Sequence, residues 1–395
     1  MLREINKKIL FITEDFPSGL NGTSVKTRNT LNYLLDAGYK VDVCCFLFKG
    51  FNRHDFKHNN LRIFTFESKR FNKKSISFIY HAFFIVFSIA PITIKRLFNK
   101  DLEKKLIKLK NTNSYRSIFY DGYSNLQYLN KDTKNEHIYI DDEDFTDLFR
   151  QRLLLERDLF KKIFYFFEYL KSLLFEFIYM RRVDQVWAIS SNTKNRLKRV
   201  TGVKTVLMPT IISLNENLFN ENGYKIVFTG TLNWRENVEG LKWFISNHWN
   251  KVIANIPSAE LVIIGQGASL DLISYLESHK NISYKGYVES LDEEYKQATL
   301  AIAPVRINAG IKVKILTYMS YGLPVISTKK AALGLVSTDG ILVSSDKNFS
   351  RCIIKLLQSL RLRKYLSGKS HQNIKNNYSN IHLKEFLFKH FNKHE

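Results

Sequence analysis

The stretch Val305 to Thr328, VRINAGIKVKILTYMSYGLPVIST, has the pattern of a parallel βαβ unit. An apolar run that ends at Pro304 precedes it, as expected of a buried strand. Apolar residues then recur at helical spacing, Gly322 predicts the end of the helix, and the next strand begins at Pro324. The stretch therefore indicates an α/β fold in which parallel strands alternate with helices.

A glycine and three cations lie at the predicted start of this helix. Gly310 allows the backbone to approach a ligand closely, and the first N–H groups of a helix carry a partial positive charge. Arg306, Lys312 and Lys314 crowd the same turn. This pattern predicts a phosphate or diphosphate site. The alternative is an ordinary βαβ unit with solvated lysines, because lysines are common near helix starts.

Length, cysteine content and charge limit the class of protein. A chain of 395 residues predicts two domains, and 45% hydrophobic residues are enough for globular cores. Cys44, Cys45 and Cys352 lack metal-ligand spacing and indicate a reducing compartment, with the first two buried in a strand. The net charge of +23 predicts a partner of opposite sign, either nucleic acid, an anionic membrane face or an anionic substrate. The N-terminus runs directly into a strand without a signal-peptide pattern, so we expect a cytoplasmic protein.

The N-terminal half begins with a β–loop–α–β pattern. Lys8–Thr13 and Tyr39–Phe48 are predicted strands, and a helix is predicted between Ser24 and Ala37. The loop Glu14–Thr23 is neither a GxGxxG motif nor a P-loop, but it stands where open α/β sheets bind ligands. The acids Asp141 to Asp144 follow another predicted strand, at the sheet edge where α/β active sites lie.

A second series of alternating strands and helices begins near Lys225. Its predicted strands include Lys225–Thr229, Glu260–Ile264 and Leu300–Ala303, and a helix is predicted over Asn348–Leu360. We therefore predict two Rossmann-like, doubly wound domains, residues 1–208 and 209–375. Residues 376–395 are predicted to form a C-terminal helix that packs back on the first domain.

Two aromatic-rich segments are flanked by basic residues. Phe78–Ile94 is short for a membrane-spanning helix, and Leu159–Met180 is followed by Arg181 and Arg182. Both patterns suit helices that lie on a membrane surface with basic residues toward the lipid headgroups. The alternative is a pair of core-facing helices. The first interpretation predicts peripheral association with the inner face of the cell membrane.

The chain resembles glycosyltransferase family 4, a group of nucleotide-sugar enzymes with the GT-B fold. In the second half the resemblance is carried by Phe228–Thr231 with Asn237, Leu261–Gly265, Gly286–Val288 and Pro304–Thr328. In the first half it is carried by Ile9–Pro17, Asn21–Thr23, Leu34–Val43 and Asp184–Ser190. The resemblance implies an α/β protein with two Rossmann-like domains that face each other across a cleft.

The resemblance also implies a reaction and a set of residues for it. The family transfers a sugar, with retention of anomeric configuration, from a nucleotide-sugar donor to a glycan or lipid-linked glycan, without metal or cofactor. Such enzymes assemble bacterial capsule, O-antigen or lipopolysaccharide. The implied catalytic residues are Asp142, Gly22 and Lys314. The implied donor-binding residues are Thr23, Gly230, Arg235, Asn237, Arg306, Gly310, Ile311, Lys312 and Thr317.

Three features of the sequence depart from the family pattern. Two glutamates separated by seven residues are replaced by Ala309 and Thr317, and a threonine lacks the charge that strengthens a hydrogen bond. The arginine and lysine expected after Gly230 are absent, with Arg235 nearby as a substitute. Asp142 stands where many members have a histidine. It is interpreted either as a polar contact to the sugar or acceptor, or as a helix-capping acid.

Two other classes of function are compatible with parts of the sequence. The substituted positions suit a non-catalytic, membrane-associated adaptor with a decayed GT-B fold. Nucleic-acid binding is less favoured, because the basic helix Lys194–Arg199 lacks the signature of an RNA- or DNA-binding fold. The predicted partners are thus a nucleoside diphosphate sugar, a glycan or lipid-linked acceptor and an anionic membrane surface.

Overall fold

The structure is a computed structural model that describes residues 7–17, 22–47, 56–67, 88, 90–131, 134–215, 219–288, 290–308 and 310–391. The chain divides into two compact units, Met1–Pro209 and Thr210–Glu395. Each unit is an α/β structure built around one parallel sheet.

The first unit contains a seven-stranded sheet whose adjacent strands are all parallel. Its strands are β1 (Lys8–Asp15), β2 (Lys40–Leu47), β3 (Leu61–Glu67), β4 (Ser117–Asp121), β5 (Glu136–Asp141), β6 (Gln185–Ala188) and β7 (Thr205–Leu207). Its helices are α1 (Gly22–Asp36), α2 (Ile92–Lys95), α3 (Lys100–Thr112), α4 (Phe145–Leu155), α5 (Leu159–Tyr179) and α6 (Ser191–Thr201). The strand order is β3-β2-β1-β4-β5-β6-β7.

The second unit contains a six-stranded parallel sheet. Its strands are β8 (Lys225–Thr229), β9 (Glu260–Ile264), β10 (Ile282–Gly286), β11 (Leu300–Ala303), β12 (Val325–Thr328) and β13 (Ile341–Ser344). Its helices are α7 (Arg235–Phe244), α8 (Asn250–Asn255), α9 (Leu270–Glu277), α10 (Asp292–Gln297), α11 (Val313–Ser320), α12 (Phe349–Gln358), α13 (Leu360–Asn377) and α14 (Asn380–Phe391). The strand order is β10-β9-β8-β11-β12-β13.

Both sheets change their winding direction between two central strands. In the first unit the chain runs outward from β1 to β3 and then returns to place β4 on the other side of β1. In the second unit β8 and β11 form the same pair of neighbours. Open α/β sheets bind ligands beyond the carboxyl ends of such strand pairs. We therefore expect ligand-binding residues among those that follow β1, β4, β8 and β11.

Local sequence accounts for several element boundaries. The strands are apolar runs with buried side chains, such as Ile9–Ile12 in β1. Ser190 caps α6 by accepting a hydrogen bond from Thr193 N, and Gly202 ends that helix with φ of 70°. Cys44 and Cys45 are buried free thiols in β2, as predicted.

Of the two aromatic-rich segments, the structure describes Leu159–Met180 fully and Phe78–Ile94 only in part. The core-facing interpretation of Leu159–Met180 is wrong, because most of the large apolar side chains of α5 are exposed. Of the segment Phe78–Ile94, only Ser88 and residues 90–94 are among the described residues. Over the described ranges, none of the helices combines the length and apolar character needed to cross a bilayer.

The predicted fold class, an α/β protein of two Rossmann-like units, is confirmed by the two parallel sheets. The cleft between the units and the docking of the C-terminal helix on the first domain stay predictions. The helix α14 itself contributes buried Leu383, Phe386, Leu387 and Phe391.

Candidate functional site

The turn before α11 differs from its prediction by a few residues. Gly310 has φ of 97°, in the left-handed region that favours glycine. The helix then begins at Val313, with Lys312 at the N-cap position, rather than directly after Gly310. The backbone of Lys312 is not helical, at φ −88° and ψ 89°, so Gly310 and Ile311 stand outside the helix. The helix start therefore lies closer to Lys314 than the sequence indicated.

Lys314 lies in the first turn of α11 and its ammonium contacts residues that follow β8. Its Nζ donates a hydrogen bond of 2.8 Å to Asn237 Oδ1. Asn237 Nδ2 in turn donates to the carbonyl oxygen of Thr231 at 2.9 Å, which fixes the orientation of the amide. The Lys314 ammonium also lies 4.3 Å from the ring centroid of Phe228. Lys314, Asn237 and the end of β8 therefore form one site.

Gly230 borders this site and leaves room for the lysine. A Cβ atom on Gly230 would lie 2.6 Å from Lys314 Nζ and 2.9 Å from Asn237 Nδ2. A Cβ on Gly265 would lie 1.9 Å from the carbonyl oxygen of Gly230. The two glycines thus allow the loops after β8 and β9 to pack together beneath the ammonium of Lys314.

The electrostatic state of Lys314 is unusual for a lysine. Its side chain is partly buried, and this burial lowers its pKa from the usual 10.5 to about 7. The positive charge of Lys312 lowers the pKa further. In the part of the chain that the structure describes, no carboxylate is within ion-pair distance of Lys314 Nζ. An anion bound beside Asn237 would supply the missing counter-charge.

Other predicted donor-binding residues have partners of their own. Arg306 forms an ion pair with Asp346, and its guanidinium lies 4.9 Å from the Trp243 ring centroid. Arg235 Nε lies 2.5 Å from Glu239 Oε1, so the residue suggested as a substitute cation is paired within its own helix. Neither interaction includes Lys314.

Thr317, which replaces the second glutamate of the family pattern, donates its hydroxyl hydrogen to Val313 O at 3.1 Å. Its oxygen can therefore accept a hydrogen bond from a ligand while the hydroxyl proton remains within the helix. Ala309, which replaces the first glutamate, lies outside the described residues.

Tyr318 and Thr229 connect α11 to the end of β8, an arrangement that the sequence did not reveal. The Tyr318 hydroxyl accepts a hydrogen bond of 2.8 Å from Thr229 N and lies 2.9 Å from Thr229 Oγ1. Tyr318 is fully buried, so the two elements cannot separate without exposing this bonded pair. Because Lys314 and Tyr318 lie on the same helix, the hydrogen bonds of Tyr318 to Thr229 also fix the position of Lys314 relative to Gly230. In the sequence, the one feature that could have indicated this connection is that Tyr318 occupies a core-facing position of the predicted helix.

A second cluster of charged side chains lies in the first unit, at the carboxyl ends of its central strands. Asp121, at the end of β4, is fully buried and accepts hydrogen bonds from Thr13 Oγ1 at 3.2 Å and Thr27 Oγ1 at 2.5 Å. Lys26 Nζ lies 2.5 Å from Asp121 Oδ1 and also forms an ion pair with Asp142. One ammonium on α1 thus pairs with two carboxylates, one at the last residue of β4 and one just after β5.

The structure decides between the two interpretations of Asp142. Asp144, not Asp142, caps α4, because the Asp144 side chain accepts a hydrogen bond from Asp147 N. Asp142 instead pairs with Lys26 while its side chain remains 19% exposed. The helix-capping interpretation of Asp142 is therefore wrong. The proposed contact of Asp142 with sugar or acceptor stays a prediction.

Burial and the negative charge of Asp121 raise the pKa of Asp142 from 3.8 to about 8, although Lys26 opposes this shift. Lys26 remains protonated, since the two carboxylates raise its pKa. The neighbouring Asp141 accepts a hydrogen bond of 2.7 Å from Tyr139, and burial raises the pKa of Asp141 to about 7. This edge of the sheet therefore contains carboxyl groups that can carry a proton at neutral pH.

Sequence reasoning did not identify Lys26 as a site residue. A usable signal was present: Lys26, Thr27 and Thr30 are polar residues on the buried face of α1. Gly22 and Thr23 are the first two residues of the same helix. Their predicted approach to the phosphate and sugar stays a prediction.

The comparison with known families concerns the second unit. The model of the family Glycosyl transferases group 1 matches residues 223–359, which include Gly230, Asn237 and Lys314. Residues 223–359 are therefore similar to a group 1 glycosyltransferase domain. The predicted family resemblance is thereby confirmed at the level of group 1 glycosyltransferases.

One curated relative of this chain is 22% identical over 330 residues, which are 80% of this chain and 82% of the relative. It is described as an uncharacterized 44.6 kDa protein in the cps region of Klebsiella pneumoniae. The similarity therefore extends beyond the residues that the family model matches.

Solved structures show that the chain has the GT-B fold. Sucrose-phosphate synthase from Thermosynechococcus elongatus has a TM-score of 0.72 and 13% identity, with 98% of both chains covered. A mutant of S. aureus TarM, in complex with Fondaparinux, alpha-GlcNAc-glycerol and UDP, has a TM-score of 0.68 and 11% identity. That match covers 98% of this chain and 100% of TarM.

Proposed function

We propose that the chain transfers a sugar from a nucleoside diphosphate sugar to a hydroxyl group of a glycan or lipid-linked glycan. In this reaction the bond between the anomeric carbon and the diphosphate oxygen breaks. A bond from that carbon to the acceptor oxygen forms, and the hydroxyl proton passes to the departing nucleoside diphosphate. Retention of configuration and independence from metal and cofactor are part of the proposal and rest on the family resemblance.

The observation that carries the proposal is the environment of Lys314. A cation with a lowered pKa stands beyond the carboxyl ends of the two central strands β8 and β11, bonded to Asn237 and next to Gly230. Negative charge develops on the diphosphate as its bond to the sugar breaks. A fixed ammonium at this place stabilises that charge without having to reorganise.

The other predicted residues of the second unit enter the proposal in defined roles. Lys312 adds positive charge next to Lys314, and the open turn at Gly310 and Ile311 offers backbone to the diphosphate. Thr317 would accept a hydrogen bond from a donor hydroxyl. Arg235 and Arg306 would have to exchange their carboxylate partners for the ligand.

The comparisons support the substrate class and the setting. TarM, a protein with the same fold, was solved with UDP and alpha-GlcNAc-glycerol bound, which supports a nucleoside diphosphate donor. The relative in a cps region supports a role in capsule or related surface polysaccharide assembly. We further propose that the reaction takes place at the inner face of the cell membrane, where lipid-linked acceptors would be found.

Binding of nucleoside diphosphates tests this proposal directly. In a thermal-shift screen of nucleoside diphosphates and their sugars, a ligand that binds only the folded state raises the unfolding temperature, and the rise grows with the logarithm of its concentration divided by Kd. We expect one base to stabilise the protein, and we expect the matching sugar nucleotide to be consumed when an acceptor is supplied. If no nucleoside diphosphate stabilises the protein, the proposed donor site is wrong.

The second candidate is a non-catalytic adaptor, and one observation favours it. Thr317 keeps its hydroxyl proton in an intrahelical hydrogen bond and carries no charge, where the family pattern has a glutamate. An adaptor would bind the nucleotide or the membrane but would show neither transfer nor hydrolysis of any sugar nucleotide.

A further inference from the structure

The helix α5 presents its polar side to the protein and its apolar side to solvent. Glu168, Ser172 and Glu176, spaced four residues apart, are 2%, 0% and 1% exposed. Phe160, near the start of the helix, is 82% exposed. A helix on the surface of a water-soluble domain normally has the opposite arrangement. This reversed arrangement of polar and apolar side chains is expected of a helix whose outer side contacts an apolar environment.

We call the exposed set the apolar face of α5. Its members are Leu159, Phe160, Ile163, Phe164, Phe166, Phe167, Leu170, Leu174 and Phe177, and each is at least 38% exposed. At 3.6 residues per turn these side chains occupy an arc of about 160° along a helix about 30 Å long. Lys171, at one edge of the arc, forms an ion pair of 3.1 Å with Glu168.

Hydrogen bonds on the buried side fix the rotation of α5. Glu168 Oε2 accepts a hydrogen bond of 2.7 Å from Ile92 N. Glu176 accepts two from Arg196, at 2.6 and 2.9 Å, and Arg196 also donates to Asp144. Rolling the helix to bury its apolar face would leave these buried charges without partners, at a large cost. The apolar face is therefore held outward by the fold.

Basic residues stand at both ends of the apolar face. Arg157, Lys161 and Lys162 are exposed at the N-terminal end, and Arg181 and Arg182 are exposed just after the C-terminal end. The Arg181 guanidinium lies 3.8 Å from the Phe177 ring centroid, so the positive charge is continuous with the apolar side chains. An apolar face with cations at both ends is complementary to a partner that has an apolar interior and an anionic surface.

We propose that α5 is a membrane-docking helix that lies in the interface of an anionic lipid bilayer. Its apolar side chains enter the acyl boundary, and the terminal cations contact lipid phosphates. A protein partner suits this face less well, since protein interfaces carry a hydrogen bond about every 100–200 Å² and these side chains offer none. The inference rests on the membrane location proposed above and identifies the surface responsible.

Co-sedimentation of the full chain with vesicles tests the proposal. The test variant carries Phe167→Gln, Leu170→Gln and Leu174→Gln, all at exposed positions of the apolar face. The matched control carries Leu270→Gln, Ile381→Gln and Phe388→Gln, three exposed apolar residues of the second unit. Equal unfolding temperatures of the two variants would verify that both fold. A third variant, Lys161→Glu with Lys162→Glu, tests the charge.

We expect the wild-type chain and the control to bind mixed phosphatidylglycerol–phosphatidylcholine vesicles more strongly than pure phosphatidylcholine vesicles. The test variant should bind at least about tenfold more weakly, because each inserted apolar side chain contributes substantially to partitioning. The Lys161 and Lys162 variant should lose the preference for phosphatidylglycerol.

Three results would overturn the inference. If the test variant binds vesicles as strongly as the wild type, the membrane location stands but α5 is not the docking surface. If the wild type binds neither kind of vesicle, the membrane location fails with it, while nucleotide binding remains a separate question. If ultracentrifugation shows a dimer that the test variant dissociates, without vesicle binding, a second copy of the chain covers the apolar face.

Discussion

Lys314 and Asn237, which are 77 residues apart in the sequence, are joined by a hydrogen bond of 2.8 Å between Nζ and Oδ1. Asn237 is neutral, so the bond orients the ammonium without neutralising it. Phe228 and Gly230 form the remaining surroundings of the ammonium. The result is an oriented positive charge that becomes fully compensated only when an anion binds.

Substitution of Lys314 by methionine should weaken nucleoside diphosphate binding. A hydrogen bond to a charged group contributes about 1.5–3 kcal/mol, which corresponds to roughly 10- to 150-fold in Kd. Isothermal titration with the nucleoside diphosphate selected by the thermal-shift screen measures the change. Lys355→Met, at an exposed lysine of the same unit, is the control and should leave Kd unaltered. Equal affinities of the two variants would remove Lys314 from the site.

Binding should also depend on pH in a way that identifies Lys314. Its pKa is about 7 in the ligand-free protein, and a bound diphosphate favours the protonated form. Above pH 7, therefore, binding requires uptake of a proton, and Kd should rise with pH by up to about tenfold per pH unit. In Lys314→Arg the guanidinium stays charged, so Kd should be nearly constant between pH 7 and 9. A wild-type Kd that is flat over this interval would contradict the assignment.

Two glycines should respond differently to alanine. In Gly230→Ala the new Cβ meets the flexible end of Lys314 rather than backbone, so the loss of stability should come only from the φ of 159° and be smaller than in Gly265→Ala, while nucleotide affinity falls about tenfold. In Gly265→Ala the Cβ would lie 1.9 Å from a backbone oxygen, so stability should fall by more than about 1–3 kcal/mol. Denaturant unfolding and titration of both variants separate the effects. A Gly230→Ala protein that binds normally would show that Lys314 need not occupy its observed position.

The sequence predicted the strands well because buried parallel strands are continuous apolar runs. The predictions for Lys225–Thr229, Glu260–Ile264 and Leu300–Ala303 agree with the structure end to end. Helix boundaries were less accurate. The helix predicted over Asn348–Leu360 spans Phe349–Gln358, because Ser359 interrupts it and caps the next helix with its hydroxyl. The helix α3 was not predicted.

The candidate site was predicted in its residue types but not in its contacts. Gly230, Asn237 and Lys314 were named through the family resemblance, whereas their association depends on the pairing of β8 with β11. Lys26 was missed because its two partners are 95 and 116 residues away in the sequence. No local pattern indicates that one lysine will face two aspartates from other strands.

The roles of Lys26 and Asp142 can be separated by stability measurements. Lys26→Met removes the cation from fully buried Asp121 and should destabilise the first unit by about 3–5 kcal/mol. Asp142→Asn leaves the pair of Lys26 and Asp121 intact and should cost much less at pH 7. Denaturant unfolding of both variants, with Asp36→Asn at an exposed position as control, measures this difference.

The pH dependence of the Asp142→Asn protein provides the sharper test. The pKa of Asp142 is about 8 when folded and near 3.8 when unfolded, so between these values the folded state binds the extra proton. Asp142 therefore lowers wild-type stability progressively as pH rises from 4 to 8. The difference in unfolding free energy, variant minus wild type, should increase over that interval. If the difference instead stays constant over that interval, Asp142 is already ionised in the folded state, paired with Lys26. Its ability to carry a proton near a sugar or acceptor would then be excluded.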